Sequence, residues 1–151
     1  MTKQPTQGGF IDGVHHMTMR VYYEDTDTAG IVYYANYLRF IERARTEILR
    51  LFGVDQYVLM NAPEEERISF AVTRCEINYV RPAHLDDIIT VKTTTTKLRG
   101  ASIHMAQDIW RDDEVLIKSH VEAACLNAKG MPTRLPKQFV QNARELIPLD
   151  L

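Results

Sequence analysis

A short acidic segment carries the side chains best suited to chemistry in this chain. Asp25 and Asp27 lie in the sequence Glu24-Asp25-Thr26-Asp27-Thr28, directly before a long apolar-periodic stretch. A carboxylate can act as a general base toward water or as a nucleophile at a carbonyl carbon. Carboxylates also cap helices and close turns, so the residue type alone leaves both roles open.

The residues after this segment predict one long helix. Their apolar positions recur with the three-and-four spacing of a single buried face. These positions are Tyr34, Tyr37, Leu38, Ile41, Ala44, Ile48, Leu49 and Phe52. Gly53 tolerates the left-handed conformation that ends a helix, which gives a length of about twenty residues. Because the first N–H groups of a helix lack internal acceptors, Asp27 would lie beside a site that attracts a developing oxyanion.

The rest of the chain predicts a sheet that faces this helix. A first strand is expected from Val14 to about Glu24, and β-rich runs predict strands at 68–80, 87–98, 101–111 and 114–127. Short helices are expected within 54–66, interrupted by Pro63, and at 136–146. The connections between the later strands are too short for parallel crossovers, so the pairing should be antiparallel. We therefore expect an α+β fold.

The last strand has the clearest alternation of the chain. Val115, Ile117, Val121, Ala123 and Cys125 share one face, and Lys118, His120 and Glu122 share the other. Cys75 and Cys125 both fall inside predicted strands, where we expect reduced core residues. No CxxC or HExxH spacing occurs and the histidines are scattered, so the sequence predicts no metal site.

Composition limits the classes of function. The 151 residues suit one domain, with residues 1–13 as a mobile tail and 14–151 as the folded part. Eighteen basic and twenty acidic residues give a net charge of -2, which gives no sign of nucleic-acid binding. No apolar run approaches the roughly eighteen residues of a membrane span, and no secretory signal pattern is present. We expect a cytoplasmic protein without membrane insertion.

The acidic segment and helix together resemble a known family signature. The relevant residues are Tyr22-Tyr23-Glu24-Asp25-Thr26-Asp27-x-x-Gly30-x-Val32-Tyr33, with Tyr37 and then Glu42-Arg43-Ala44-Arg45-Thr46-Glu47. This pattern closely resembles that of the hotdog-fold acyl-CoA thioesterases. Within them it resembles the 4-hydroxybenzoyl-CoA thioesterase group, and especially its branch associated with the Tol-Pal cell-envelope system. The similarity continues through Arg81-Pro82-Ala83, Leu85-Asp86-Asp87, Arg99-Gly100-x-Ser102 and Leu135-Pro136-Lys137.

The resemblance implies a hotdog fold, a curved antiparallel sheet wrapped around one long central helix. It places Asp27 as the catalytic carboxylate and the backbone N–H of Tyr34 as the oxyanion donor. Several members of the Tol-Pal-associated branch carry histidine where this chain has Tyr34. The implied reaction is hydrolysis of acyl-CoA without a cofactor, since CoA is part of the substrate.

The same resemblance, together with the basic residues, suggests where the substrate binds. CoA contacts are expected from Arg99, Lys97, Gly100, Ser102 and Arg134, because guanidinium groups suit phosphate oxygens. The acyl pocket is expected at Gly30, Ile31, Val32, Tyr33 and Tyr37. Hotdog proteins join their sheets into dimers and often tetramers, so a homodimer or homotetramer is implied. Acyl carrier protein is a further implied partner.

Two other functions remain open from the sequence. A hotdog hydratase or dehydratase would act on similar thioesters, but that chemistry usually needs a histidine with an acidic residue, and none follows the helix start here. A non-catalytic module that binds acyl-CoA or acyl carrier protein is the alternative from another class. A panel of CoA thioesters separates hydrolysis from hydration and from binding alone.

Overall fold

The structure, a computed structural model, describes residues 7–148, in which six strands form one antiparallel sheet. The strands are β1 (Gly9–Ile11), β2 (Val14–Arg20), β3 (Ser69–Tyr79), β4 (Ile88–Arg99), β5 (Ser102–Arg111) and β6 (Glu114–Leu126). The helices are α1 (Tyr37–Leu51), α2 (Gln56–Met60) and α3 (Lys137–Leu146), and in these residues none is long and apolar enough to cross a membrane. Across the sheet the order is β1-β2-β4-β5-β6-β3, which agrees with the predicted α+β architecture.

Helix α1 buries one apolar face against the sheet, as its sequence period predicts. Phe40, Ile41 and Ile48 are at most 1% exposed. They belong to two adjoining apolar clusters that together run the length of the helix. Tyr34 and Leu38, which the same period assigns to the buried face, are instead exposed. The apolar face is therefore open to solvent near the start of the helix.

Helix α1 is shorter than predicted because it starts later. Tyr34–Asn36 form a 3-10 turn, and the α-helix that follows has 15 residues. The Asn36 side chain donates to the Asp25 carboxylate, which holds the chain in a tight turn before α-helical bonding begins. The end of the helix is as predicted, since Gly53 has a φ of 92° and its N–H bonds to the Arg50 carbonyl.

The predicted strands after residue 68 are confirmed to within one residue at each end. The first strand is shorter than predicted, because β2 ends at Arg20 and Tyr23–Asp25 form a 3-10 turn. Within that turn the Asp25 carboxylate accepts the N–H of Tyr22 at 2.8 Å. This bond bends the chain away from the sheet before the acidic segment.

The N-terminal residues are more ordered than predicted. Gly9–Ile11 pair with β2, and Phe10 packs against His15 and Phe52 at ring-centroid distances of 5.2 and 5.9 Å. The expectation that order begins near Val14 is therefore wrong for β1. Positions 1–6 of the predicted tail and positions 149–151 of the predicted domain lie outside the described residues.

Strand β3 forms one edge of the sheet and pairs with β6 alone within residues 7–148. Cys75, near its middle, is exposed, so the prediction of a core cysteine is wrong there. Cys125 on β6 is buried as predicted, and burial raises the pKa of its thiol to about 11. Both cysteines are free.

His15 is a buried histidine that the fold keeps neutral. It has no accessible surface, and neither ring nitrogen has a hydrogen-bond partner among the residues that the structure describes. Burial, and to a smaller extent the adjacent His16, lower the pKa of His15 from 6.5 to about 4. Its contribution to stability is fully present above pH 6.5, and it is lost as the pH falls toward 4, because the unfolded chain binds the proton first.

Replacement of His15 by leucine should flatten the acid dependence of stability. Between about pH 7 and pH 4.5 the free energy of unfolding of the wild type should fall by about 2–3 kcal/mol more than that of His15→Leu. Urea titrations at the two pH values measure this difference. Val14→Ala, which removes apolar contacts of the same strand and no titratable group, serves as the control and should keep the wild-type slope. Equal slopes for His15→Leu and wild type would contradict the prediction.

Candidate active site

The acidic segment forms a compact loop that is held on the connection between β3 and β4. The Val32 N–H donates to the Ala83 carbonyl at 2.9 Å, and Ile31 forms a β-bridge with His84. Inside the loop, Thr26 forms a second bridge with Val32. The position of the loop is therefore set by the sheet as well as by its own turns.

An ion pair braces the connection that supports this loop. Arg111 Nη1 lies 2.7 Å from the Asp87 carboxylate and also donates to the Pro82 carbonyl. Burial alone would raise the pKa of Asp87, but hydrogen bonds from the His84 N–H and from Arg111 hold this pKa below its usual value. An ionised Asp87 thus keeps residues 82–87 in place under the loop.

Asp25 is a buried structural carboxylate. Its side chain accepts the Tyr22 N–H and the Asn36 side-chain amide, each at 2.8 Å, through its two different oxygens. Its carbonyl accepts the N–H of Tyr33 at 3.0 Å. With both carboxylate oxygens occupied, Asp25 ties the loop to the start of α1 and is not available to a substrate.

Asp27 lies at the exposed tip of the same loop. Its Oδ1 accepts the Ala29 N–H at 2.8 Å. Its backbone N–H donates to the Ile31 carbonyl, and its carbonyl accepts the Gly30 N–H. Gly30 has a φ of 79°, a conformation that favours glycine in this turn. Oδ2 of Asp27 has no hydrogen-bond partner among residues 7–148. The loop therefore fixes the orientation of Asp27 and leaves one carboxylate oxygen available.

The backbone of Tyr34 offers a donor near this loop. Asn36 makes the first backbone bond of the 3-10 turn, to the Tyr33 carbonyl at 2.8 Å, and the Tyr34 N–H finds no acceptor in the described part of the chain. The Tyr34 carbonyl accepts the Tyr79 hydroxyl at 3.1 Å, which helps to hold this peptide. An N–H placed at a helix start in this way can stabilise a developing oxyanion.

The residues predicted to line the acyl pocket divide into exposed and buried sets. Gly30 and Tyr33 are exposed and Ile31 is half-buried. Val32 and Tyr37 are 2% exposed and belong to the core, where the Tyr37 hydroxyl accepts the Ala83 N–H at 3.0 Å. Burial raises the pKa of Tyr37. Val32 and Tyr37 thus support the loop from beneath within a single subunit.

An apolar groove that the sequence did not predict lies between α1 and β3. It has a volume of about 400 Å³ and begins at Leu38, one helical turn after Tyr34. Its lining residues are Leu38, Arg39, Ile41, Glu42, Arg45, Val72, Cys75 and Val121. The helical period marks Leu38 and Ile41, but the partners on β3 and β6 become visible only through the fold.

Four of the five predicted CoA-binding residues meet in one basic pocket. Its volume is about 1020 Å³, and the turn between β4 and β5, the segment before α3 and α3 itself contribute to it. Five cationic side chains line this basic pocket, namely Lys97, Arg99, Arg134, Lys137 and Arg144. Among residues 7–148, none of the five forms an ion pair with a carboxylate. The pocket therefore presents uncompensated positive charge.

Part of this pocket was predicted from the sequence. Lys97, Arg99, Gly100 and Arg134 all line it, as predicted. Ser102 pairs with Arg99 across the β4–β5 turn but does not line it. Lys137 and Arg144 were missed, although their spacing of seven residues places both on the same face of α3.

In the described part of the chain, one group of side chains has the spacing of metal ligands. It lies away from the basic pocket, on β5 and β6.

The basic pocket and the Asp27 loop lie at opposite ends of the sheet. The loop adjoins the start of β4, where the Val21 N–H bonds to the Asp87 carbonyl and Arg20 pairs with Ile88. Arg99 is the last residue of β4, which has 12 residues. An extended strand of this length spans about 36 Å. Within one chain, the Asp27 loop and the basic pocket are therefore separated by about the length of β4.

Comparisons with known proteins identify the family of this chain. The family model described as the thioesterase superfamily matches residues 29–118. The acyl-CoA thioesterase YbgC of Haemophilus influenzae is 40% identical over 129 residues, which cover 85% of this chain and 93% of that protein. The crystal structure of a probable thioesterase from Bartonella henselae has 42% identity and a TM-score of 0.77, covering 82% of this chain and 99% of that chain.

A more distant structure supports the fold alone. A variant of 4-hydroxybenzoyl CoA thioesterase complexed with 4-hydroxybenzoyl CoA has 20% identity and a TM-score of 0.75, covering 87% of this chain and 99% of that chain. The hotdog fold that the family signature implied is thereby confirmed. The matched family model, the identity to relatives over most of the chain and the shared fold lead to one assignment. The chain belongs to the thioesterase superfamily and is a hotdog-fold thioester hydrolase.

Proposed function

We propose that this enzyme hydrolyses acyl-CoA thioesters and that Asp27 is its reacting carboxylate. The observation that carries the assignment is the contrast between the two aspartates of one loop. Asp25 is buried with both oxygens bonded, whereas Asp27 is exposed with Oδ2 unbonded among residues 7–148. A relative with 40% identity is named an acyl-CoA thioesterase, which supports the choice of carrier.

Asp27 serves the reaction by one of two routes. As a general base it takes a proton from water while the water oxygen attacks the thioester carbonyl carbon. As a nucleophile it attacks that carbon itself, and water then hydrolyses the resulting mixed anhydride. In both routes the C–S bond breaks, CoA leaves as a thiolate that takes up a proton, and the acyl group leaves as a carboxylic acid.

The Tyr34 N–H serves as the oxyanion donor. Charge develops on the thioester oxygen as the carbonyl carbon becomes tetrahedral, and a fixed N–H stabilises that charge more than it stabilises the neutral ground state. The 3-10 turn and the Tyr79 hydroxyl hold the Tyr34 peptide before substrate arrives. The loss of one such donor typically costs about 10²–10³ in kcat.

The acyl group lies in the apolar groove between α1 and β3. The groove begins at Leu38, one turn from the Tyr34 N–H, so a carbonyl bound at the helix start directs its acyl chain toward it. Leu38 is 44% exposed and Val72 is 49% exposed, which leaves apolar surface for the acyl group to cover. This groove replaces the buried side chains of Val32 and Tyr37 as the main acyl contact within one subunit.

Asp27→Asn should lower kcat by at least about 100-fold, because asparagine removes the base or nucleophile but can still accept the Ala29 N–H. Steady-state hydrolysis of short aliphatic, long aliphatic and aromatic CoA thioesters measures the loss and identifies the preferred acyl class. Glu24→Gln is the matched control, since Glu24 is an exposed carboxylate of the same loop. The control should keep wild-type turnover. A folded Asp27→Asn enzyme with wild-type kcat would refute the assignment of Asp27.

The basic pocket binds the nucleotide part of CoA. CoA carries a pyrophosphate and a ribose phosphate, and guanidinium groups donate paired hydrogen bonds to such oxyanions while they keep their charge. Arg99 and Arg134 lie exposed in a pocket that has no carboxylate partner for them among residues 7–148. These contacts are far from the thioester, so they contribute similarly to the ground state and the transition state.

Arg99→Ala should raise KM for an acyl-CoA severalfold and leave kcat nearly unchanged. The same acyl group on pantetheine, which lacks the nucleotide, should be hydrolysed equally well by wild type and variant. Arg67→Ala is the control, because Arg67 is an exposed arginine that bonds to the Ala62 carbonyl outside the pocket. Equal losses on acyl-CoA and acyl-pantetheine would mean that Arg99 acts through folding, and unchanged KM on acyl-CoA would remove it from the site.

The substrate spans two subunits. The ends of β4 are about 36 Å apart, and a pantetheine arm is about as long as four or five extended residues, or about 15 Å. A thioester at Asp27 therefore places its nucleotide short of the basic pocket of the same chain. The nucleotide therefore binds to the basic pocket of a neighbouring subunit, and β3, which pairs with β6 alone within residues 7–148, is a strand through which a second copy can join the sheet.

A mixed oligomer tests this arrangement. One subunit carries Asp27→Asn and the other carries Arg99→Ala with Arg134→Ala, each with a different affinity tag. If the substrate spans the interface, half of the sites combine an intact Asp27 with an intact basic pocket, so the mixed oligomer should show wild-type KM at about half the wild-type kcat. Hydrolysis with the raised KM alone would contradict the shared site, because each subunit would then need its own pocket.

Three finer expectations from the family resemblance stay predictions. They are the association with the Tol-Pal system, acyl carrier protein as a partner and the cytoplasmic location. Comparison of acyl-CoA with acyl carrier protein thioesters in the same assay addresses the second directly.

A further inference from the structure

A group of imidazole and carboxylate side chains lies on the face of the sheet opposite α1. On β5 and β6 the odd-numbered residues between 103 and 109 and between 117 and 125 are buried, and His104, His120 and Glu122 are half-exposed on the other face. His104 pairs directly with Glu122 across the two strands, and His120 lies two residues before Glu122. The register therefore places all three side chains over the same patch of sheet.

The distances within this group are close to those of a metal site. Glu122 Oε1 lies 3.3 Å from His104 Nδ1 and 3.7 Å from His120 Nε2. The three ligand atoms all lie within 4.8 Å of one another. Tetrahedral coordination at the usual zinc bond lengths separates ligand atoms by about 3.3–3.4 Å. Two of the three separations are near that value, and the third is at most 4.8 Å.

The group is accessible to an ion from solvent and is surrounded by charged side chains. The side chains of His104, His120 and Glu122 are 21%, 34% and 23% exposed, so the patch is shallow but reachable. Neighbouring strands place charged residues around it, namely Arg74 and Glu76 on β3, Lys118 on β6 and Lys97 on β4. Arg74 lies across from Glu122 but pairs with Glu76, which reduces its competition for Glu122.

We propose that His104, His120 and Glu122 form a binding site for a divalent cation of the zinc class. Two neutral imidazoles and one carboxylate suit zinc, cobalt and nickel, and they do not suit calcium or magnesium, which prefer oxygen ligands. Three protein ligands leave a fourth position for water on the solvent side. The site lies on the sheet face opposite α1 and uses none of the residues assigned to thioester hydrolysis, so it stands independently of the proposed function.

The test is a titration of the full-length protein with cobalt chloride, followed by zinc competition. Tetrahedral cobalt bound through nitrogen and oxygen gives an intense visible absorption, which reports the coordination directly. Wild type should bind one cobalt ion per chain, and zinc should displace it. His104→Ala, His120→Ala and Glu122→Gln should each weaken zinc binding by at least about 10–100-fold, since even changes outside the ligands have effects of that size.

Two control variants make the result specific. His16→Ala removes another half-buried histidine of the sheet, and Cys75→Ser removes the exposed thiol, the strongest competing zinc ligand. Both should bind cobalt as wild type does. The proposal is overturned if no saturable binding occurs, if binding survives in a folded His104→Ala/His120→Ala protein, or if Cys75→Ser abolishes it.

Discussion

The Asp25 carboxylate is the contact on which the geometry of the candidate site depends. One of its oxygens accepts a backbone N–H from before the loop, and the other accepts the Asn36 side chain at the start of α1. Hydrogen bonds to a charged group contribute about 1.5–3 kcal/mol each to the stability of the folded protein. Loss of one of them at a buried carboxylate therefore destabilises the fold strongly. The same residue thus determines where the chain leaves the sheet and where the helix begins. Asp27, two residues later, is held at the exposed tip as a consequence.

Local patterns in the sequence account for most of the fold and for less of the site. Alternation in β6 and the three-and-four spacing in α1 reflect burial by one sheet face and one helix face, so they could be read directly. The late start of α1 could not, because it depends on a side-chain bond between Asn36 and Asp25, eleven positions apart. The residue types alone do not separate Asp25 from Asp27, because burial and hydrogen bonding in the folded chain distinguish the two carboxylates. The apolar groove was missed because β3 and α1 meet only in the folded chain.

Charge in this molecule is organised locally. The net charge of -2 suggests a surface without strong preference for anions, yet five cations gather in the basic pocket without a carboxylate among the described residues. Interactions between exposed charges fade over about 8–10 Å at physiological salt, so such a pocket acts on phosphate groups largely independently of the acidic residues elsewhere. Overall composition is therefore a poor guide to anion binding in a protein of this kind. Anion binding is better predicted from which cationic side chains the fold gathers around the turn after β4.

The place of β3 in the sheet has a consequence for the order of folding. β3 precedes β4 in sequence, yet it pairs with β6, and the hairpins β4–β5 and β5–β6 lie between them along the chain. Local hairpins close quickly, whereas a pairing of such separated segments carries a larger loop-closure entropy and forms later. Strand β3 thus joins the sheet after these hairpins, as does β2, in which His15 pairs with Thr93, 78 positions away. A second copy of the chain that paired with β3, as proposed above, would therefore find its binding edge only in the completed sheet.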